Sequence, residues 1–165
     1  MTATRGHFIS VTINGRPTDI GVRPNLSLLE MLRDDAGCPE VKLGCGEGVC
    51  GTCTVLLDGE PVNACLVFAV QTNGCEITTV RGLAGDGELH DLQNAFLDHA
   101  GSQCGFCTPG MLLVTKWYLD RHPEADREEL RHAIAGNLCR CTGYTKILDA
   151  LEAYRDLRLE DGHGD

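Results

Sequence analysis

The chain has 165 residues and a formal net charge of −10 at pH 7, a length that suits one or two small domains. The acidic balance and the lack of any basic cluster exclude nucleic acid as the main ligand, because a phosphate backbone requires a basic surface. Ten cysteines and twenty glycines accompany only 5% aromatic residues. We therefore expect much of the chain to fold around a bound inorganic centre rather than a large hydrophobic core.

Neither a secretory leader nor a twin-arginine pair is found in residues 1–30, and no apolar run reaches the length of a membrane span. We therefore expect a cytoplasmic protein without membrane insertion. Since the cytosol keeps thiols reduced, the ten cysteines favour metal binding over a disulfide framework.

A hairpin is predicted near the start of the chain. Apolar and polar residues alternate over residues 7–13 and are followed by Asn14-Gly15, a pair favoured in type I′ turns. The chain is then expected to return through Ile20 and Val22.

A helix is predicted next, capped by Ser27 or Asn25 and ending near Gly37. Beyond a glycine-rich stretch, the β-branched pattern predicts further strands. These strands cover residues 54–57, 61–63 and 76–80, and Asp58-Gly59 forms the turn between the first two. Together the elements predict a small α+β domain over residues 1–80.

After Val80 the hydrophobic pattern changes to a helical period, and glycines at 82, 85 and 87 indicate a connection. We place a domain boundary within residues 81–90, so that a second domain covers residues 81–165. Four short helices are predicted there. The first covers residues 91–100, with His99 facing the core, and the second covers residues 109–121, with Thr108 as its N-cap. The third begins at the capping box Asp126–Glu129 and ends at Gly136, and the fourth covers residues 145–158. Residues 160–165 are expected to be a disordered acidic tail.

The first group of cysteines has the spacing of a plant-type [2Fe–2S] loop. Four residues separate Cys45 from Cys50, two separate Cys50 from Cys53, and Cys65 follows after eleven more. Glycines at 44, 46, 48 and 51 allow backbone N–H groups to approach the sulfurs. A zinc site also takes four cysteines, but it requires neither this spacing nor so many glycines. We therefore predict a [2Fe–2S] cluster on these four cysteines.

The second group is Cys104-x2-Cys107 followed, after thirty-one residues, by Cys139-x-Cys141. By itself this group also fits a structural zinc site. Each pair falls in a connection between predicted helices, so a four-helix bundle would bring the four thiols together at one end. Next to the first centre, this placement favours a second [2Fe–2S] cluster.

The remaining chemistry-bearing residues predict no catalytic site. Cys38 and Cys75 lie outside both groups and are expected to be ordinary buried or turn thiols. The histidines are scattered singly, and no Ser/His/Asp arrangement, carboxylate pair or nucleotide fingerprint is present. We therefore expect the chain to carry electrons for chemistry performed elsewhere.

Three stretches resemble the small iron–sulfur subunit of the molybdenum hydroxylase (xanthine oxidase/dehydrogenase) family: GCGEGVCGTCTVLLDG at 44–59, QCGFCTPGM at 103–111 and GNLCRCTGY at 136–144. The resemblance extends from about residue 7 to residue 158. It implies a β-grasp, plant-ferredoxin-like N-terminal domain, a C-terminal four-helix bundle and two [2Fe–2S] clusters. It also implies partners on separate chains, namely a large molybdenum–pterin subunit and a medium FAD subunit, in a hetero-oligomer such as a dimer of heterotrimers.

In enzymes of the family that the chain resembles, water supplies the oxygen for hydroxylation at molybdenum, and the electrons leave through the two clusters to the flavin. The resemblance implies that the C-terminal cluster lies nearer the molybdenum and the N-terminal cluster nearer the flavin. It also implies that Gln103 and Cys141 contact the pterin, Gln103 through its side-chain amide and Cys141 while ligating iron.

Two other functions remain open at this point. A free-standing bis-[2Fe–2S] ferredoxin would carry electrons between soluble partners, and the acidic charge suits transient docking to basic surfaces. A structural adapter held together by zinc is the second alternative.

Overall fold

The structure is a computed structural model that describes residues 6–85, 87–160 and 162. The predicted acidic tail lies outside these residues except for Glu160, which is the last residue of a helix, and Gly162, which lies in a turn.

The N-terminal half contains a mixed sheet, five-stranded within the described residues, with the order β2-β1-β5-β3-β4. Strand β1 pairs antiparallel with β2 and parallel with β5, and β3 pairs antiparallel with β4 and β5. The strands are β1 His7–Ile13, β2 Arg16–Val22, β3 Thr54–Leu57, β4 Glu60–Asn63 and β5 Glu76–Thr78.

Both predicted hairpins are confirmed, with their turns at the predicted residues. Asn14 and Gly15 have φ values of 50° and 75°, and Asp58 and Gly59 have values of 50° and 82°. Two consecutive positive φ values define a type I′ turn, whose twist matches that of the flanking strands.

The predicted last strand ends two residues early. Residue 79 leaves the sheet because the Thr79 N–H donates to Asn14 Oδ1 at 2.8 Å, while the Thr79 hydroxyl donates to Glu40 Oε1 at 2.8 Å. A short 3₁₀ helix over Val80–Leu83 follows and begins the connection to the helices.

The helix across the sheet begins as an α-helix, α1 Leu28–Glu30, and continues as a π-helix over Met31–Asp35. Ser27, rather than Asn25, caps it: Glu30 N donates to Ser27 Oγ at 3.2 Å, and Ser27 N donates to Glu30 Oε2 at 3.0 Å. The helix ends before Gly37, which has a φ of 66°. Its apolar side chains are buried and form part of the N-terminal core.

The C-terminal half contains α2 Asp91–Asp98, α3 Thr108–Arg121, α4 Arg127–Ala133 and α5 Thr145–Glu160. The α4 capping box is confirmed, since Asp126 Oδ1 accepts from Glu128 N and Glu129 N at 2.9 Å each. His99 was predicted to face the core and is exposed, because α2 ends one residue before it.

Thr108 is not the N-cap of α3. Cys107 occupies that position with helical backbone angles, so Thr108 is the first helical residue and Pro109 the second. The Thr108 hydroxyl instead donates to Ser102 Oγ at 3.1 Å, within the loop that precedes the helix.

Two separate groups of buried apolar side chains form the cores. One lies between the sheet and α1, from Ile9 to Ile77, and the other lies among α2 to α5, from Leu92 to Tyr154. The α+β prediction is therefore confirmed, with the strands and the longer helices in successive halves of the chain. Among the described residues, no helix combines the length and the hydrophobicity needed to cross a membrane.

Candidate metal centres

The first cysteine group lies in two segments outside the strands of the N-terminal half. Cys45, Cys50 and Cys53 belong to the irregular segment before β3, and Cys65 lies in the 3₁₀ helix Ala64–Leu66. The thiols meet in pairs, with hydrogen bonds between Cys45 and Cys50 and between Cys53 and Cys65. Cys50 and Cys53 also interact electrostatically, so the structure brings all four predicted ligands to one site.

Glycines shape this loop as the sequence predicted. A Cβ at Gly44 would lie 2.7 Å from Cys50 Sγ, and a Cβ at Gly48 would collide with the Leu66 side chain. Gly48 also has a φ of 75°, which L-residues with side chains rarely adopt. The open backbone allows Glu47 N to donate to Cys45 Sγ at 3.3 Å, a contact that stabilises a thiolate.

The two sides of this centre differ in solvent exposure and electrostatics. The Glu47 N–H, followed by the Cys50 and Val49 N–H groups, lowers the pKa of the exposed Cys45 thiol to about 6. Burial raises the pKa of Cys53 to about 11. A bound cation would compensate for the burial of a Cys53 thiolate, which is the form that ligates metals.

The second group lies at one end of the C-terminal helices. Cys104 and Cys107 occupy the loop between α2 and α3, and Cys139 and Cys141 occupy the loop between α4 and α5. The Cys104 and Cys141 sulfurs are 3.5 Å apart, and Cys107 is hydrogen-bonded to Cys139. Cys104 and Cys139 also interact electrostatically, which joins the two pairs into one site.

The pairing fits a centre with two metal ions. Two thiolates bound to one tetrahedral ion at about 2.3 Å are about 3.8 Å apart, close to the separation of the Cys104–Cys141 pair. Each group therefore offers one pair of thiolates per ion, the arrangement required by four thiolates and two irons. Within the described residues, no three His, Cys, Asp or Glu side chains are placed to share a single metal ion.

The second centre also has a buried and an exposed side. Burial raises the pKa of Cys107 to about 12, whereas the Phe106 N–H lowers the pKa of the exposed Cys104. Burial acts to raise the pKa of Cys139, but hydrogen bonds from the Thr142 hydroxyl and the Thr142 and Cys141 N–H groups outweigh it, so that this pKa is lowered. A hydrogen bond to Cys104 raises the pKa of Cys141.

The two cysteine loops touch each other. Leu138 N, next to Cys139, donates to the carbonyl oxygen of Cys50 at 2.9 Å. The neighbouring Asn137 is 3% exposed, and its Nδ2 donates to Gly51 O at 2.8 Å. Sequence reasoning missed Asn137, although its position next to a ligand motif was a signal that it is part of the site.

Close backbone approach makes this contact possible. A Cβ at Gly51 would collide with Gly136 O, and a Cβ at Gly110 would lie 2.5 Å from Gly51 O. Any other residue at Gly51 would therefore push the two loops apart, and any other residue at Gly110 would push α3 away from the first loop.

The residues predicted by resemblance to contact a pterin lie at the surface. Gln103 and Cys141 are both exposed, and the structure records no side-chain hydrogen bond for Gln103 among the described residues. Cys38 is buried, and Cys75 is partly exposed with its thiol hydrogen-bonded to the Asp58 carboxylate. The structure therefore keeps Cys38 and Cys75 out of both thiol groups.

Comparison with known proteins identifies both halves. A family described as "2Fe-2S iron-sulfur cluster binding domain" matches residues 11–77, and one described as "[2Fe-2S] binding domain" matches residues 79–152. The prediction of two [2Fe–2S] clusters is thereby confirmed.

Curated relatives extend the match over most of the chain. The nicotinate dehydrogenase small FeS subunit of Eubacterium barkeri is 48% identical over 84% of this chain and 88% of its own length. The caffeine dehydrogenase subunit gamma of Pseudomonas sp. (strain CBB1) is 45% identical over 89% of this chain and 90% of its own length.

Solved structures share the fold. A chain of quinoline 2-oxidoreductase from Pseudomonas putida 86 superposes with a TM-score of 0.91 at 44% identity, covering 96% of this chain and 98% of that chain. Aldehyde oxidoreductase from Desulfovibrio gigas gives a TM-score of 0.87 at 36% identity, and the match covers 95% of this chain but only 17% of that longer one.

Replacing one predicted ligand tests whether the centres are separate. In Cys50→Ser, we expect one of the two paramagnetic signals of the reduced protein to be lost or altered and the other to persist, because serine is a poor substitute for a thiolate. Electron paramagnetic resonance with iron analysis measures this. Cys75→Ser is the matched control and should retain both signals; loss of both signals in Cys50→Ser would contradict two independent centres.

Adding one methyl group tests the contact between the loops. We expect Gly51→Ala to lower the unfolding temperature well beyond Gly74→Ala, because both glycines have positive φ but nothing lies within 4 Å of a Cβ at Gly74. The positive φ alone costs about 1–2 kcal/mol, and overpacking adds about 1–3 kcal/mol at Gly51. Thermal unfolding followed by circular dichroism measures both variants, and equal losses would contradict the collision.

Proposed function

The chain belongs to the family of small [2Fe–2S] subunits of molybdenum hydroxylases, and we propose that it relays electrons from a molybdenum–pterin centre on a large subunit to FAD on a medium subunit. It is thus the electron-transfer subunit of an oxidoreductase, and substrate chemistry takes place on a partner chain. The observation that carries this relay is the direct contact between the two cysteine loops through Leu138 N and Cys50 O.

Eight cysteines hold the two clusters in this proposal. Cys45, Cys50, Cys53 and Cys65 bind the first, and Cys104, Cys107, Cys139 and Cys141 bind the second. The thiol pairs and the N–H groups directed at Cys45 and Cys139 support this assignment. A [2Fe–2S] cluster, when bound, supplies one-electron transfer at a potential that depends on hydrogen bonds to its sulfurs.

The residues between the centres keep their separation fixed. Asn137 is buried and donates to Gly51 O, so its amide anchors the second loop to the first. The Leu138 N–H then connects the backbone beside Cys139 to that of Cys50 through a single hydrogen bond of 2.9 Å. We propose that this hydrogen bond is the shortest covalent and hydrogen-bonded route from one centre to the other.

Electrons enter at the exposed end of the second centre. The Cys104–Cys141 pair faces solvent, and the carboxamide of Gln103 is exposed beside it. We assign Gln103 and Cys141 to the pterin contact of the large subunit, with Gln103 contributing its amide and Cys141 ligating iron at the same time. The exposed Phe106 provides adjoining apolar surface for that subunit.

Electrons leave at the first centre towards the flavin. Cys45 is exposed, and the neighbouring Val49 and Leu66 are 63% and 61% exposed. Apolar side chains exposed together next to a redox centre favour burial against a partner, because a contiguous apolar patch on the surface is unfavourable in water. We assign this surface to the medium subunit.

We further propose that the chain divides into a β-grasp, plant-ferredoxin-like domain over residues 1–80 and a four-helix bundle domain over residues 81–165. The two separate apolar cores support this division. A hetero-oligomer, with a dimer of heterotrimers as one arrangement, follows from the proposed partners. We also propose a cytoplasmic location, because a reducing compartment keeps cysteines available for metal binding.

Purification of the native complex tests the relay. We expect the chain to co-purify with two larger chains, molybdenum and flavin, and to hold about four iron atoms, since each cluster contains two. Metal analysis, flavin absorbance and gel filtration measure these quantities. Iron in a small monomer without molybdenum or flavin would instead identify a free-standing ferredoxin, and a colourless protein with zinc would identify a structural adapter.

Replacing Gln103 tests electron entry. We expect Gln103→Ala to retain both clusters but to lose molybdenum cofactor or to slow transfer within the complex, because a contact made by the amide is removed. Gln103→Glu keeps the length without the amide donor and should behave like Gln103→Ala. Rapid-mixing kinetics and molybdenum content measure the effect, and unchanged values in both variants would exclude the contact.

A further inference from the structure

The loop that carries Cys139 places a hydroxyl group against a ligand sulfur. Thr142 Oγ1 lies 3.1 Å from Cys139 Sγ, and Thr142 N lies 3.5 Å from the same atom. Within the part of the chain that the structure describes, none of the other seven proposed ligands has a hydrogen bond from a hydroxyl group. Cys139 therefore differs from the other proposed ligands in its hydrogen bonding.

The local turn directs the hydroxyl proton towards the sulfur. Thr142 Oγ1 accepts the N–H of Tyr144 at 3.1 Å, so its single proton is free to be donated elsewhere, and Cys139 Sγ is the acceptor in contact. This orientation makes Thr142 the donor and the sulfur the acceptor.

Tyr144 holds this turn in place. It has a φ of 67°, an unusual value for an aromatic residue. Its hydroxyl accepts from Cys139 N at 2.9 Å and donates to Asn137 O at 3.2 Å. The Tyr144 ring thus ties the Thr142 turn to the backbone on both sides of Leu138, and the hydroxyl of Thr142 keeps a defined position.

We propose that the Thr142 hydroxyl raises the reduction potential of the second [2Fe–2S] centre by donating a hydrogen bond to the Cys139 thiolate. The inference rests on the proposed function, since it requires iron at the second site. Reduction adds one electron, and hence one negative charge, without breaking a bond or transferring a proton. A hydrogen-bond donor at a ligand sulfur stabilises the more negative, reduced form more strongly, so the potential rises.

The position of Cys139 gives this tuning a consequence for the relay. Leu138, the residue before it, donates to Cys50 O of the first loop. The tuned ligand therefore lies on the side of the second centre that faces the first centre. By stabilising the reduced second centre, Thr142 sets how a single electron divides between the two centres.

Two substitutions at Thr142 in the native complex test the proposal. Thr142→Val preserves the shape of the side chain and removes the hydroxyl, whereas Thr142→Ser preserves the hydroxyl and removes the methyl group. Titration with dithionite, followed by electron paramagnetic resonance, gives the midpoint potential of each centre. The signal that persists in Cys50→Ser identifies the second centre.

We expect Thr142→Val to lower the midpoint potential of the second centre, with a tenfold change in its reduction equilibrium corresponding to about 59 mV for one electron. Thr142→Ser should leave it at the wild-type value, and the first centre should be unchanged in both variants. An unchanged potential in a fully loaded Thr142→Val protein, or equal shifts in Val and Ser, would overturn the proposal.

Loading of the second centre is measured in every variant. If Thr142→Val does not retain the cluster, Thr142→Ala takes its place. If Thr142→Val and Thr142→Ala both lose the signal of the second cluster while Thr142→Ser retains it, the hydroxyl is needed to hold the cluster rather than to tune its potential. That result would also overturn the proposal. A wild-type protein without a second iron–sulfur signal would contradict the proposed function instead, so the two failures are distinguishable.

Discussion

The contact between the Gly51 carbonyl and the Asn137 amide is the interaction on which the rest of the structure depends. It joins the loop before β3 to the loop between α4 and α5, and it is buried. A Cβ at Gly51 would collide with Gly136 O, and a Cβ at Gly110 would lie 2.5 Å from Gly51 O, so neither Gly51 nor Gly110 has room for a side chain. Because the hydrogen bond from Leu138 to Cys50 lies beside this contact, the same packing determines both how the two halves of the chain meet and how closely their cysteine loops approach.

Both centres share one arrangement of their proposed ligands. The first has the exposed Cys45 and the buried Cys53, and the second has the exposed Cys104–Cys141 pair and the less exposed Cys107–Cys139 pair. In each centre one side is available to a partner subunit and the other is packed against the chain. A relay requires such a polarity, since an electron must enter at one surface and leave at another.

Local patterns predicted local structure correctly. Asn14-Gly15 and Asp58-Gly59 form type I′ turns, and the Ser27–Glu30 and Asp126–Glu129 pairs form capping boxes, because neighbouring residues satisfy each other's backbone groups. The errors arose where a residue outside the local pattern offered a competing hydrogen bond. The Asn14 side chain accepts a hydrogen bond from Thr79, 65 residues along the chain, and the predicted strand ends before that residue. The Thr108 hydroxyl donates a hydrogen bond to Ser102 and does not cap α3. Neither Asn14 nor Ser102 belongs to the hydrophobic periodicity that predicts strands and helices, so that periodicity could not indicate these hydrogen bonds.

The sequence by itself determined the chemistry of this protein. At the first centre, cysteine spacing and close-approach glycines predict iron–sulfur ligation because three of the four cysteines lie in one short loop, and the three motifs together identify the family. Only the tertiary structure decided which thiols pair, that Asn137 reaches Gly51 across 86 residues, and that the Thr142 hydroxyl lies against Cys139. The physical reason is that these contacts depend on the packing of separate elements and on side-chain orientation, and the order of residues along the chain encodes neither directly.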